Sequence, residues 1–289
     1  MNAASRQANR RSILVTGCST GIGAHCARAL AAEGWDVHAT ARTPDDVAAL
    51  RADGLTAHTL DYAEPETIRD TLGAVLERTG GRLGALFNNG AYSQPGAVED
   101  LPIAALREQF EANLFGWAEL TNRVVPVMRA QPAGPFGRGR IVHCSSILGL
   151  VPFRWRGAYN ASKFALEGLM LTQAMELRDA SIHVAMIEPG PVRSHIALNA
   201  LRHAERHIDV EASPHREAYG PALERLRRGG SLANPRAAGP EIVHRALRHA
   251  LEARRPRYRY LVTREARIAA WSWRVLPLRW SLALADRLS

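Results

Sequence analysis

Lysine is all but missing from this chain. Among 37 Lys plus Arg residues in a length of 289, Lys163 is the single lysine and every other cation is arginine. The compact ammonium and the planar guanidinium fork are not interchangeable in a tight site, so the one retained lysine marks its position. Cysteine is scarce as well. Cys18, Cys26 and Cys144 are odd in number, widely spaced and form no Cys-x-x-Cys. That argues against a disulfide framework and a thiolate zinc site, and predicts reduced thiols in a cytoplasmic protein. No apolar run reaches the roughly 18 residues that a spanning helix needs. The start, Met1 to Arg11, is polar and basic, and Ser12-Ile13-Leu14-Val15-Thr16 is too short for a signal peptide's apolar region.

Acidic residues are outnumbered, and the net charge is +9. Such an excess raises the question of nucleic acid. The arginines are nevertheless scattered, with short clusters only at Arg10-Arg11, Arg227-Arg228 and Arg254-Arg255. No aromatic-interleaved basic motif or recognition-helix module accompanies them, so no nucleic-acid partner is expected. The length and a hydrophobic share of 46% suit one large domain or two small ones with an ample core.

What is present has an order. Ile13-Leu14-Val15 leads directly into Thr16-Gly17-Cys18-Ser19-Thr20-Gly21-Ile22-Gly23, and an apolar stretch from Ala24 to Ala32 follows. Strand, glycine-rich turn and helix are the order a phosphate cradle needs, since glycine lets backbone approach the ligand and a helix N-terminus offers free N–H groups. By itself the stretch also fits an ordinary glycine-rich turn. A second strand, Asp36 to Ala41, ends without an acid and meets Arg42 at once. An acid there would bind a free ribose 2′-hydroxyl, whereas a base suits a 2′-phosphate, which favours NADP with NAD as the alternative. Thr43-Pro44-Asp45-Asp46 reads as a capped helix start. Further strands are expected at Leu55 to Leu60, ending at Asp61, and at Leu83 to Phe87, ending at Asn88-Asn89-Gly90-Ala91. Arg140 to Cys144 and Ile182 to Ile187 continue the series, and Tyr258 to Val262 is a last edge strand. Helices are expected between them, a long one from Leu101 through Met128 with Asn113 inside it. The alternation predicts a doubly wound parallel sheet, with its site at the carboxyl ends of the strands.

Tyr159 and Lys163 stand at i and i+4 on a helix read as running to about Ala180, so they share a face. An ammonium beside a phenol favours phenolate and predicts a lowered Tyr159 pKa, useful for acid–base work. Taken alone the pair also fits an ordinary solvated helix face. Ser145 and Ser146 close the fifth strand, and alternation lets only one face the site. The sixth strand ends at Glu188-Pro189-Gly190-Pro191-Val192-Arg193-Ser194. From Ser194 to about Pro235 the apolar pattern weakens and His195, His203, His207 and His215 accumulate. This stretch is expected to be a helical lid, its histidines without a metal-ligand spacing, so no metal is expected. Domain limits follow: 12–262 for the dinucleotide-binding and catalytic unit, 263–289 for a helical tail. In the tail, Trp271, Trp273 and Trp280 lie among Leu, Ala and Arg and are interrupted by Pro277. Such a segment is either a membrane-surface anchor or a face packed on the same chain or a second subunit.

These motifs together resemble the short-chain dehydrogenase/reductase family over roughly Ser12 to Val262. Within it, the Glu188-Pro189-Gly190-Pro191 turn and the extended tail resemble bacterial relatives of hydroxysteroid and retinol dehydrogenases. The resemblance implies that Tyr159 is the general acid in reduction or the base in oxidation, with hydride exchanged at the nicotinamide C4 on its pro-S face. It implies that Lys163 lowers the phenol's pKa and holds the ribose hydroxyls, and that Ser146 rather than Ser145 binds the substrate oxygen. Asn113 would support a water linking Lys163 to solvent. Gly17, Ser19, Thr20, Gly21, Ile22, Gly23, Arg42, Asp61, Asn89, Gly90, Pro189, Gly190, Val192 and Ser194 would contact the coenzyme. A homodimer or homotetramer is implied too. The family's usual Asn-Asn-Ala-Gly is here Asn88-Asn89-Gly90-Ala91, and Ser194 stands where threonine is common. Apolar Leu148, Leu150, Val151, Phe153 and Trp155 point to a hydrophobic small-molecule substrate. A regulator or scaffold that binds the coenzyme without turnover is the competing reading.

Overall fold

Strand β1 (Ser12–Val15) lies inside a seven-stranded, wholly parallel sheet, third from one edge. The computed structural model describes residues 11–134, 137–235 and 237–288. The basic segment before Arg11 and the tail's final Ser289 lie outside them. The other strands are β2 (Asp36–Ala41), β3 (Thr56–Thr59), β4 (Ala85–Asn88), β5 (Gly139–Cys144), β6 (Ile182–Glu188) and β7 (Arg259–Leu261). Their order across the sheet is β3-β2-β1-β4-β5-β6-β7. The chain runs outward from β1 to β3, then returns to β4 on β1's other side, and so reverses direction between β1 and β4. That reversal opens a crevice at the carboxyl ends of these strands.

Helices flank this sheet, so strands near its middle are largely apolar on both faces rather than alternating. Ile13, Leu14 and Val15, Leu86 and Phe87, and Val184 to Ile187 are all buried. The helices after the first strands are α1 (Gly21–Ala32), α2 (Pro44–Ala52) and α3 (Pro65–Thr79). The expected cap of α2 is formed: Thr43 Oγ1 accepts from Asp46 N at 3.2 Å, a contact that contributes about 1 kcal/mol.

The long helix expected from Leu101 to Met128 is not regular. It comprises α4 (Ile103–Phe110), a π-helical turn at Glu111–Phe115, and α5 (Gly116–Ala130). Two tertiary contacts coincide with the wide turn. The Asn113 carboxamide accepts from Tyr92 N at 3.2 Å and donates to Tyr92 O at 2.9 Å. Gly116 lies flush on Tyr62, where a Cβ would overlap that residue's backbone. Asn113, of a type more often found on helix surfaces, is fully buried. Single π turns of this kind reposition a side chain without ending the helix.

Helix α6 (Gly157–Glu176) carries Tyr159 and Lys163 and gives way to a short 3₁₀ turn at Arg178–Ala180. The histidine-rich stretch folds into α7 (Ile196–His207) and α8 (Arg216–Arg227). Their apolar stripe is easily missed because α7 buries alanines, Ala197, Ala200 and Ala204. Polar contacts dock them on the loop that follows β4 and on the last turn of α4. His207 Nε2 lies 3.2 Å from Glu108, His215 Nε2 lies 2.7 Å from Glu99, and Tyr219 Oη donates to Asp100 at 2.7 Å. Helix α9 (Glu241–Glu252) buries Val243, Ala246, Leu247, Ala250 and Leu251 at helical spacing.

The tail forms α10 (Arg264–Val275) and α11 (Leu278–Leu288), parted at Pro277 as the sequence suggests. Its inner side packs on the same chain. Ala266, Ala285 and Trp273 join Ile147, Val151 and Phe153 in one apolar cluster, and Arg154 pairs with Asp286 at 2.8 Å. Among the described residues, no helix is long and apolar enough to cross a membrane.

Candidate active site

The crevice holds a cavity of about 410 Å³. One wall is the turn between β1 and α1. Gly17 and Gly21 adopt left-handed backbone, with φ of 66° and 62°. A side chain on Gly17 would overlap Gly90, and one on Gly23 would overlap the Gly17 carbonyl and the Asn89 amide. The side chain of Asn89 ties this turn down, donating to Thr16 O at 3.0 Å and Gly17 O at 3.2 Å. Helix α1 begins here with no side-chain cap on Thr20 and no acid in its first turn. Its positive end is therefore uncompensated, and the cradle fits an anionic pyrophosphate.

Ser19, Thr20, Ile22, Arg42, Asp61, Asn89 and Gly90 line the same cavity, as do Pro189, Gly190, Val192 and Ser194 from the end of β6. Gly23 and Asn113 do not. Gly23 lies beneath the turn, and Asn113 sits behind the wall, held by Tyr92 and within 3.3 Å of Ser162 Oγ. Tyr62, which nothing in the sequence singled out, links the strand ends: its hydroxyl donates to Asn88 Oδ1 at 2.7 Å and lies 2.8 Å from Thr16 Oγ1.

Opposite the cradle, Ser146, Tyr159 and Lys163 come together. Alternation at the end of β5 sends Ser146 to the Tyr159 phenol and turns Ser145 towards Glu167. Tyr159 is buried, and Lys163 is completely so. The ammonium donates to Cys144 O at 3.2 Å and sits 4.2 Å from the centre of the Trp117 ring. Trp117 in turn donates from Nε1 to Gly90 O at 2.8 Å. The tryptophan thus joins the lysine's seat to the cradle. Its only sequence signal is its place four residues after Asn113.

Electrostatics here depart from expectation. Burial pushes the Tyr159 phenol above its ordinary range, not below it. The Ser146 hydrogen bond and the charge of Arg156 pull it back only in part. Lys163 is engaged elsewhere, 5.8 Å from the phenol's ring centre, and burial lowers its own pKa from 10.5 to about 8. The phenol therefore stands in its protonated, donor form, next to an ammonium that releases its proton more readily than usual.

The loop Leu148 to Arg156 also differs from expectation. Only Leu148 and Arg156 of that loop line the cavity. Leu150, Val151 and Phe153 pack beneath the tail, and Trp155 packs on Tyr219. A helical tail that absorbs apolar side chains accounts for the difference. Beyond the phenol the lining is mixed, with Tyr92, Ala200 and Leu226 beside Asn199, Arg156 and Arg225.

The family model for short chain dehydrogenases matches residues 11–205. This chain belongs to the short-chain dehydrogenase family. It is accordingly an oxidoreductase of the NAD(P)-dependent kind, acting between alcohol and carbonyl groups. It is 35% identical over 267 residues to the uncharacterized oxidoreductase YbbO of Escherichia coli K12, covering 92% of this chain and 89% of that one. It is 34% identical over 192 residues to retinol dehydrogenase 8 of Bos taurus, covering 63% and 59%. Among solved structures it resembles a short-chain dehydrogenase from Streptomyces avermitilis, with a TM-score of 0.74 and 30% identity over 91% of this chain and 92% of that one. It also resembles an actinorhodin polyketide ketoreductase with NADPH, with a TM-score of 0.69 and 26% identity over 88% of this chain and 95% of that one.

Proposed function

We propose that the chain interconverts a carbonyl and an alcohol with NADP(H), on a hydrophobic substrate that carries a polar end. The observation that carries this reading is the meeting of Ser146, Tyr159 and Lys163 across one cavity from the glycine cradle. A bound nicotinamide dinucleotide supplies or takes up the hydride. The chain's own residues hold the substrate and move the proton. The Ser146 hydroxyl, already bonded to the phenol, takes a share in binding the substrate oxygen. Tyr159, kept protonated by burial, donates to that oxygen in reduction and accepts from it in oxidation. Lys163 holds ribose hydroxyls, and its weakened grip on its proton suits it to recharge the phenol. Asn113 steadies the Tyr92 segment beside the site and serves the route by which Lys163 regains its proton.

Arg42 supports NADP over NAD. It follows β2 directly, is exposed, and lines the cavity, as a partner for a 2′-phosphate must. Leu148, Ala200 and Leu226 support the apolar part of the substrate, and Arg156 and Arg225 support its polar end. Helices α7 and α8 act as the lid over it. Exposed Phe164 and Met175 on α6 support a homo-oligomer joined through that helix.

The test is oxidation of NADPH and of NADH, followed by absorbance, across aldehydes and ketones of rising chain length. Turnover with NADPH, improving with apolar length, is expected. Tight coenzyme binding without turnover on any of them would assign the chain to the regulators instead.

A further inference from the structure

The tail's outer side is left uncovered by the fold. On α10, Ile268, Trp271 and Val275 recur at i, i+3 and i+7 and are 52, 66 and 57% exposed. On α11, Leu278 and Leu282 share a face at i and i+4 and are exposed, and Trp280 is exposed in the first turn. The inner side of both helices already packs on the chain's own Ile147 to Phe153 stretch. These outer residues are therefore surplus to the core, and an apolar patch of this kind marks a contact surface.

Arginines edge the same side. Arg264, Arg267 and Arg274 are exposed on α10 beside the apolar stripe, and Arg279 lies 5.6 Å from the Trp280 ring centre. Across 264–288 five arginines face two acids, Glu265 and Asp286, and Asp286 is paired with Arg154. A two-fold contact with another copy would set these arginines against themselves. Indole rings amid aliphatic side chains, edged by cations, suit the boundary between anionic headgroups and acyl chains.

We propose that the outer face of α10 and α11 docks on the surface of an anionic lipid bilayer, lying on it without crossing it. The inner face of the tail packs around Leu148, which lines the cavity. Docking would then hold one wall of the site close to the lipid, a consequence that rests on the reading under Proposed function.

The experiment is co-sedimentation of the full chain with vesicles of phosphatidylcholine alone and with about a quarter phosphatidylglycerol. Binding to the anionic vesicles is expected to be roughly tenfold stronger or more, and to fall as salt rises. The double variant Trp271→Glu, Val275→Glu changes only exposed positions. It is expected to lose roughly tenfold or more in binding with its melting temperature retained. A second variant, Arg267→Glu with Arg274→Glu, is expected to abolish the preference for anionic vesicles. No binding at low salt, unchanged binding of the first variant, or lipid-free dimerisation that this variant abolishes would each overturn the proposal. Turnover is not read, so a failed docking test and a failed enzyme assay remain separate results.

Discussion

Glu167 and Glu188 reach for the same guanidinium. Arg259 places Nη2 2.8 Å from Glu167 Oε2 and Nε 2.7 Å from Glu188 Oε1. The two carboxyls are buried, with side chains 7% and 0% exposed, and Glu167 stands one helical turn beyond Lys163 on α6. Two anions on one cation, out of water, favour retention of a proton. Burial, then the charge of Glu167, raises Glu188 from 4.5 to about 9.

The first prediction concerns stability. Glu188 in the folded chain keeps a proton that the unfolded chain releases above its ordinary pKa of 4.5. Its contribution is thus complete below that pH and is lost progressively as pH rises towards about 9. Glu188→Gln is neutral throughout and lacks that slope. Between about pH 5 and 7.5, the wild-type melting temperature should decline more steeply than the variant's. Parallel declines would show that Glu188 is ionised in the folded chain.

A second prediction isolates the proton. Tyr159→Phe removes one hydroxyl from a buried ring and leaves the cradle untouched. Turnover in the reductive direction should fall by ~10²–10⁴-fold, while NADPH affinity, read by fluorescence titration, changes little. A rate near wild type would take Tyr159 out of the proton transfer.

The single lysine supplies the third. Lys163 fits between the Cys144 carbonyl and the Trp117 ring. An arginine there must seat a larger plane and cannot release its proton. Lys163→Arg should lose roughly a hundredfold or more in kcat despite equal charge. Near-ultraviolet dichroism would show whether the fold survives, and Lys163→Met gives a smaller apolar replacement if it does not. Wild-type kcat in the arginine variant would mean that charge alone is needed.

Much of this was legible before the structure. Helix, strand and glycine spacing predicted the parallel sheet. Alternation at Ser145-Ser146 separates the serine that meets the phenol from the one turned towards Glu167, but both line the cavity, so it did not leave a single serine facing the site. What was not legible depends on contacts distant in the chain. The π turn at Asn113 accompanies its bonds to Tyr92, and no periodicity records a partner on another element. The tail's packing diverted Leu150, Val151 and Phe153 from the cavity, since an apolar side chain does not state which apolar surface it will meet. The phenol's raised pKa reflects burial, which spacing to Lys163 does not report.

Arg42 gives the last test. It stands at the carboxyl end of β2 with no acid on that strand end to bind a free 2′-hydroxyl, and Asp61 lines the cavity from the end of β3 instead. A guanidinium matched to a phosphate contributes a charge-assisted, often bidentate contact, and that contact exists for only one of the two coenzymes. Arg42→Ala should therefore raise KM for NADPH by about tenfold or more, a contact worth ~1.5–3 kcal/mol, and leave KM for NADH within about twofold. An exposed side chain at a loop should leave the melting temperature unchanged, so a selective effect on KM would report recognition rather than folding. Equal changes with both coenzymes would move the discrimination elsewhere, and Asp61 would then be the next position to substitute.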